Sequence, residues 1–181
     1  MTSRWLSVRR IHVILIGIGS NVAAPPAKTP LETAQEGLAA LAAPHLEPVA
    51  CSSWYESAPV PASDQPWFVN AVALISTDRE PEVLLARMLD VETRFGRVRG
   101  ERNAARTLDL DLLDYDGLVI DTRNLTLPHP RLHERRFVLE PLCEIAPRWR
   151  HPRLGLTAAE LLARLPADQE VRRIAAGGFT A

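Results

Sequence analysis

The sequence predicts an α+β fold, an antiparallel sheet backed by helices, and three observations carry that expectation. Ile11 to Ile18 (IHVILIGI) is rich in β-branched residues and stops at Gly19-Ser20-Asn21, as a central strand running into a turn does. Thr29-Pro30-Leu31-Glu32 sets a capping threonine, a proline at the first helical position and a glutamate at the third, which together open a helix. Thr107 to Tyr115 starts as strict alternation, so Leu108, Leu110 and Leu112 share one strand face and Asp109 and Asp111 the other.

The remaining elements follow in chain order. The first helix is expected to end near Pro44. Pro48 to Ser57 and Phe68 to Thr77 read as strands that can pair antiparallel across a loop holding Pro59, Pro61 and Pro66. Pro81 to Phe95 carries Leu84, Met88, Val91 and Phe95 at helical spacing and stops at Gly96, a natural C-cap. Asp116-Gly117 is a hairpin signal that would return Leu118 to Ile120 as a short strand. Thr157 and Glu160 cap a last helix reaching about Leu165. The order β-α-β-β-α-β, with an added strand and a C-terminal helical segment, is that of a ferredoxin-like α+β sandwich.

The 181 residues suit one domain spanning 1–181, and a 46% hydrophobic and 24% charged composition suits an ordinary folded core. A net charge of −1 argues against holding nucleic acid by bulk electrostatics. Cys51 and Cys143 lack the paired spacing of a zinc site or disulfide framework, so a reducing cytoplasm is expected. Arg4, Arg9 and Arg10 before the first strand imitate a secretory leader, but the apolar run is short and broken by His12 and Gly17. No run has the length to span a bilayer.

Chemistry concentrates in Arg106-Thr107-Leu108-Asp109-Leu110-Asp111. Two carboxylates at i and i+2 of a strand project side by side, and hard oxygen ligands of this kind suit Mg²⁺ carried with a nucleotide's phosphates. An acidic, solvated sheet face would explain the aspartates alone equally well. The arginines tip that balance, because Arg97, Arg99, Arg102 and Arg106 lead from a glycine-bracketed polar loop directly into the strand. Guanidinium groups grip phosphate oxygens in pairs and neutralise charge that moves during transfer. Gly17 to Asn21 lacks the lysine and spacing of a P-loop, so any nucleotide site is built differently.

With these residues in view, the chain from about Ile14 to Pro147 resembles the 6-hydroxymethyl-7,8-dihydropterin pyrophosphokinase (HPPK) family. The motifs carrying the resemblance are Ile18-Gly19-Ser20-Asn21, Ser52-Ser53-Trp54-Tyr55, Asp64-Gln65-Pro66 with Asn70, Gly96-Arg97-Val98-Arg99, Arg106 to Asp111, and Leu127-Pro128-His129 with Arg135 and Phe137. The resemblance implies transfer of pyrophosphate from ATP to the hydroxymethyl group of a reduced pterin, with AMP released, in folate biosynthesis. It implies two Mg²⁺ ions on Asp109 and Asp111, phosphate contacts from Arg97 and Arg106, and further nucleotide contacts from His129 and Arg135, with Glu92 in the surrounding site. It places the pterin between Phe68 and Phe137, hydrogen-bonded by Asn70 and by backbone around Ser57 and Val60. Arg97, Arg106 and Asp111 are the residues expected to serve catalysis.

The chain departs from the family pattern at Ala104-Ala105-Arg106, where glycine and proline usually precede the arginine, in a loop one residue short. Ser57-Ala58-Pro59 also replaces a more usual Thr-Pro-Pro. Residues 1–10 and about 150–181 extend beyond the clearest match. The expected protein is a cytoplasmic monomer that uses ATP and the pterin, with no nucleic-acid or membrane partner. Two rivals stand beside this reading: a ferredoxin-like RNA-binding module, which needs exposed sheet aromatics and a basic face, and a phosphohydrolase using the same aspartates.

Overall fold

The computed structural model describes residues 12–97 and 106–175. Strand β1 (His12–Ser20) occupies the middle of an antiparallel sheet, between β4 (Phe68–Thr77) and β5 (Asp109–Tyr115). The long β4 has two further partners on its outer edge, β2 (Leu46–Cys51) and β3 (Tyr55–Ser57). The continuous strand-like run from Pro48 to Ser57 is thus two strands, parted where Ser52 leaves the β2 ladder yet keeps its N–H on the Val72 carbonyl at 2.9 Å. A last strand, β8 (Val171–Arg173), adds to the free side of β3.

Helices α1 (Pro30–Leu41) and α2 (Pro81–Arg94) cover one face of this sheet. The expected capping box at Thr29 and Glu32 is present, and such a cap contributes about 1 kcal/mol. Ile14, Ile16, Ile18, Ala71, Ala73, Ile75, Leu110 and Leu112 meet Leu38, Leu41, Leu84, Met88 and Val91 in a single buried cluster. Gly37 lets α1 approach the sheet, since a Cβ there would stand 2.6 Å from Leu108 Cδ1.

The opposite face is covered over only half its extent. Leu15, Val72 and Leu113 pack against α3 (Arg136–Ile145) and α4 (Ala158–Leu162). Helix α3 is not legible at residue level in the sequence, because Pro141 interrupts it and no side chain of its N-cap, Arg135, bonds the first turn. The capping box at Thr157 and Glu160 is present, though α4 stops at Leu162 rather than near Leu165.

The hairpin expected after β5 is corrected as well. The turn at Asp116-Gly117 forms with positive φ at both residues, but the chain after it does not return along β5. The edge of β5 is met at Leu113 by the N–H of His129, at 2.8 Å, while β6 (Ile120–Asp121) pairs with β7 (Thr126–Leu127) as a separate two-stranded ribbon. Among the described residues no helix is long and apolar enough to cross a membrane.

Candidate active site

The half of the sheet that α3 and α4 leave uncovered holds the site. Two glycines make the groove: across the β1–β5 ladder Gly19 faces Asp109 and Gly17 faces Asp111. A Cβ on Gly19 would come 3.4 Å from Asn70 Oδ1 and 3.8 Å from Asp109 Cβ, so backbone alone lines the floor between the acidic strand and β4. A register shift between Leu15 and Ile16 carries β5 from its alternating, acid-bearing half into the apolar stretch around Leu113.

Asp109 sits in a web of cations and acids. Arg97 and Arg106 both pair with it, and Arg97 also reaches Glu92. Burial pushes the Asp109 carboxyl above its usual range and the neighbouring Asp111 adds to that, against the pull of Arg106 and Arg97. Its Oδ1 lies 2.8 Å from Arg97 Nη1 but outside hydrogen-bonding alignment, a buried oxygen with charge beside it and no hydrogen bond among the described residues. Asp111 is more open and pairs with Arg135, Nη1 to Oδ2, at 3.0 Å; His129 Nε2 stands 3.9 Å from the same oxygen. Burial lowers the His129 pKa below its ordinary value. Its Nδ1 accepts from the Arg131 N–H at 3.2 Å, which in the neutral ring leaves the proton on Nε2, toward Asp111.

A cavity of about 210 Å³ opens beside the aspartates and brings together most of the expected residues. Ser57, Val60, Phe68, Asn70, Arg106, Asp109, Asp111, Arg135 and Phe137 all line it. Asn70 and Ser57 are buried, and Asn70 Nδ2 donates to Ser57 Oγ at 2.9 Å. Phe68 and Phe137 are half-buried lining residues, one from β4 and one from α3, and the Arg135 guanidinium lies 5.5 Å from the Phe137 ring centre. Glu92, Arg97 and His129 do not line the cavity; they stand behind the aspartates. Arg99, Arg102 and the rest of the arginine-bearing loop, residues 98–105, lie outside the described residues.

Sequence reasoning passed over Asn21. This buried side chain accepts the Arg106 N–H at 2.7 Å and donates to Gln65 Oε1 and the Pro66 carbonyl, tying the acidic strand's leading arginine to the β3–β4 loop. The signal is the Gly-Ser-Asn stop of the first strand, which marks a turn and a family motif without showing what the Asn21 side chain holds. Gly17 and Gly19 carry no sequence signal for the groove floor they form.

The donor set fits a hard divalent cation. Asp109 and Asp111 offer carboxylate oxygens on adjacent same-face positions, one of them buried without a hydrogen bond among the described residues. Among the described residues no three His, Cys, Asp or Glu side chains gather as a metal cage, and Mg²⁺ characteristically takes one or two carboxylates plus substrate phosphates. Paired carboxylates among arginines, beside a cleft that Phe68 and Phe137 line, suit a nucleotide-using group transferase.

The family model for 7,8-dihydro-6-hydroxymethylpterin-pyrophosphokinase (HPPK) matches residues 15–147, and the chain belongs to that family. A 2-amino-4-hydroxy-6-hydroxymethyldihydropteridine pyrophosphokinase of Synechocystis is 38% identical over 87% of this chain and 78% of its own length. The enzyme of the same name from Haemophilus influenzae is 44% identical over 72% of this chain and 79% of its own. A Plasmodium falciparum HPPK-DHPS crystal structure shares the fold, with a TM-score of 0.66 at 12% identity over 87% of this chain; the chain spans 45% of that longer protein.

Proposed function

We infer that this cleft is where the chain, an ATP-dependent pyrophosphokinase of folate biosynthesis, transfers pyrophosphate to the hydroxymethyl group of 6-hydroxymethyl-7,8-dihydropterin. The observation that carries the reading is the meeting of Asp109 and Asp111 with Phe68, Asn70 and Phe137 around one cavity. The pterin stacks between the two phenylalanines, and Asn70, Ser57 and the backbone near Val60 bind its polar edge. Its hydroxymethyl oxygen bonds to the β-phosphorus as the bond from that phosphorus to the α–β bridging oxygen breaks, and AMP leaves.

Asp109 and Asp111 would hold two Mg²⁺ ions, which supply charge neutralisation and a template for the triphosphate. Arg97, Arg106, Arg135 and His129, which now face carboxylates, would turn to the phosphate oxygens of the bound nucleotide. Glu92, paired with Arg97, sets the direction from which that guanidinium arrives. Catalysis is then positioning plus electrostatics, and no side chain is assigned as general base. Strand order β5-β1-β4-β3, with α1 and α2 on one face, supports a ferredoxin-like catalytic domain spanning the chain.

The test is product analysis with ATP, Mg²⁺ and the reduced pterin. AMP that appears only with the pterin is the expected result. Phosphate released without it would instead mark a phosphohydrolase.

A further inference from the structure

Residues 169–174 lie beyond the family match, yet they hold the cleft from two sides. Strand β8 sets Val171 opposite Ser57, and the Glu170 carbonyl accepts the Ala58 N–H at 3.2 Å, so the segment braces the wall that carries Ser57 and Ala58. Arg172 places its guanidinium 4.6 Å from the ring centre of Trp67, the residue before Phe68.

Gln169 reaches the other wall. Its Oε1 accepts the Arg136 N–H at 2.8 Å and its Nε2 donates to the Glu134 carbonyl at 2.9 Å. Those two groups belong to the peptides on either side of Arg135. Fixing both peptide planes fixes the backbone dihedrals of the residue between them. Arg135 depends on such help, for it is the N-cap of α3 in extended conformation and makes no capping bond with its own side chain. The Arg136 N–H is one of the donors a helix start leaves without an intrahelical partner. A side chain from 33 residues downstream satisfies it.

We propose that Gln169 is a positioning residue for the transfer, its amide clamping both peptides that flank Arg135 and so aiming the guanidinium at Asp111 and the phosphates gathered there. The proposal rests on the reading of Arg135 as a phosphate contact. It differs from a role in stability, because both bonds lie near the surface on a short segment, whereas misplacing a catalytic group by about 1 Å costs on the order of a hundredfold in rate.

The test is a double-mutant cycle on the full chain, with AMP formation followed at varied ATP and melting measured alongside. Gln169→Met, similar in length but without the amide, is expected to lower kcat/KM for ATP about tenfold, a moderate share of that misplacement cost, with melting nearly unchanged. In an Arg135→Ala background the same change should cost less than about twofold, since residues that act through one another are not additive. Gln169→Glu, which keeps the acceptor for Arg136 N–H but turns a carboxylate toward the Glu134 carbonyl, should fall between. An equal loss in both backgrounds, or wild-type kinetics for Gln169→Met, overturns the clamp. Wild-type kinetics for Arg135→Ala alone instead removes Arg135 from the phosphate site, and the clamp falls with it.

Discussion

The Glu92 carboxylate accepts the backbone N–H of Leu110 at 2.7 Å, reaching from α2 to the peptide between the two aspartates of β5. Its other neighbour is the Arg97 guanidinium, so one buried acid holds both the acidic strand and an arginine that pairs with it. Burial pushes the Glu92 pKa up, which says that the carboxylate is kept here at an energetic cost.

Glu92→Gln should therefore melt close to wild type, because the amide oxygen still accepts from Leu110. Glu92→Leu should lose about 2 kcal/mol, since it strands a buried N–H and leaves Arg97 without this partner. In a chain of this size that is roughly 4–8 °C in melting temperature. Equal melting for both variants would mean that the hydrogen bond does not anchor β5.

Asp109→Ala and Asp111→Ala should each lower turnover by at least about a hundredfold, as Mg²⁺ supplies several kcal/mol of charge stabilisation in such transfers. Asp109→Ala should fold normally, since it removes an acid whose burial already works against its charge. Near-wild-type turnover at saturating Mg²⁺ removes that aspartate from the metal site.

Arg106→Ala is expected to lose mainly turnover, by up to about a thousandfold, with ATP affinity less affected. Arg106→Lys should restore only part, because lysine keeps the charge but not the two-pronged grip. Single-turnover rates measured beside ATP affinity decide it: full activity with lysine, or parallel losses in rate and affinity, reduces Arg106 to a phosphate anchor.

Phe137→Ala should weaken pterin binding far more than ATP binding, the lost stacking being worth about 1 kcal/mol beyond the apolar area. Calorimetry on the two ligands separates this from damage to the α3 packing, which would weaken both.

The buried His151 gives stability an acid limb. Its Nδ1 accepts from the N–H groups of Arg153 and Leu154, and burial, with His133 and Arg153 nearby, pulls its pKa below the ordinary 6.5. A depressed histidine is neutral when folded but still takes a proton when unfolded, so its contribution is complete above about pH 6.5 and shrinks as pH falls below that. His151→Asn keeps an acceptor near the Nδ1 position and should flatten the melting profile below pH 6.5. An unchanged slope would assign the acid sensitivity to other groups.

What could be read in the sequence was what repeats or caps. Alternation around Asp109 put the carboxylates on one face, and two capping boxes marked α1 and α4, because those signals are local. What escaped depends on distant partners. Helix α3 starts at an arginine capped from residue 169 and contains Pro141, so its neighbourhood carries no helix signature of its own. Strand β8 is three residues long and exists because β3 has a free edge for it. Asn21 looked like turn punctuation because its partners, Gln65 and Arg106, are far along the chain.

The groove floored by Gly17 and Gly19 has a consequence for how such an enzyme can change. A Cβ at Gly17 or Gly19 would already stand in van der Waals contact with Leu113, Asp111, Asn70 or Asp109, so any side chain larger than alanine there extends into the groove beside the acidic strand. Variation in substrate preference, natural or engineered, is channelled to the rim, where exposed Val60 and the 58–61 loop meet Phe137 across the opening. A library built there samples selectivity while leaving Asp109, Asp111 and the arginines paired with them untouched.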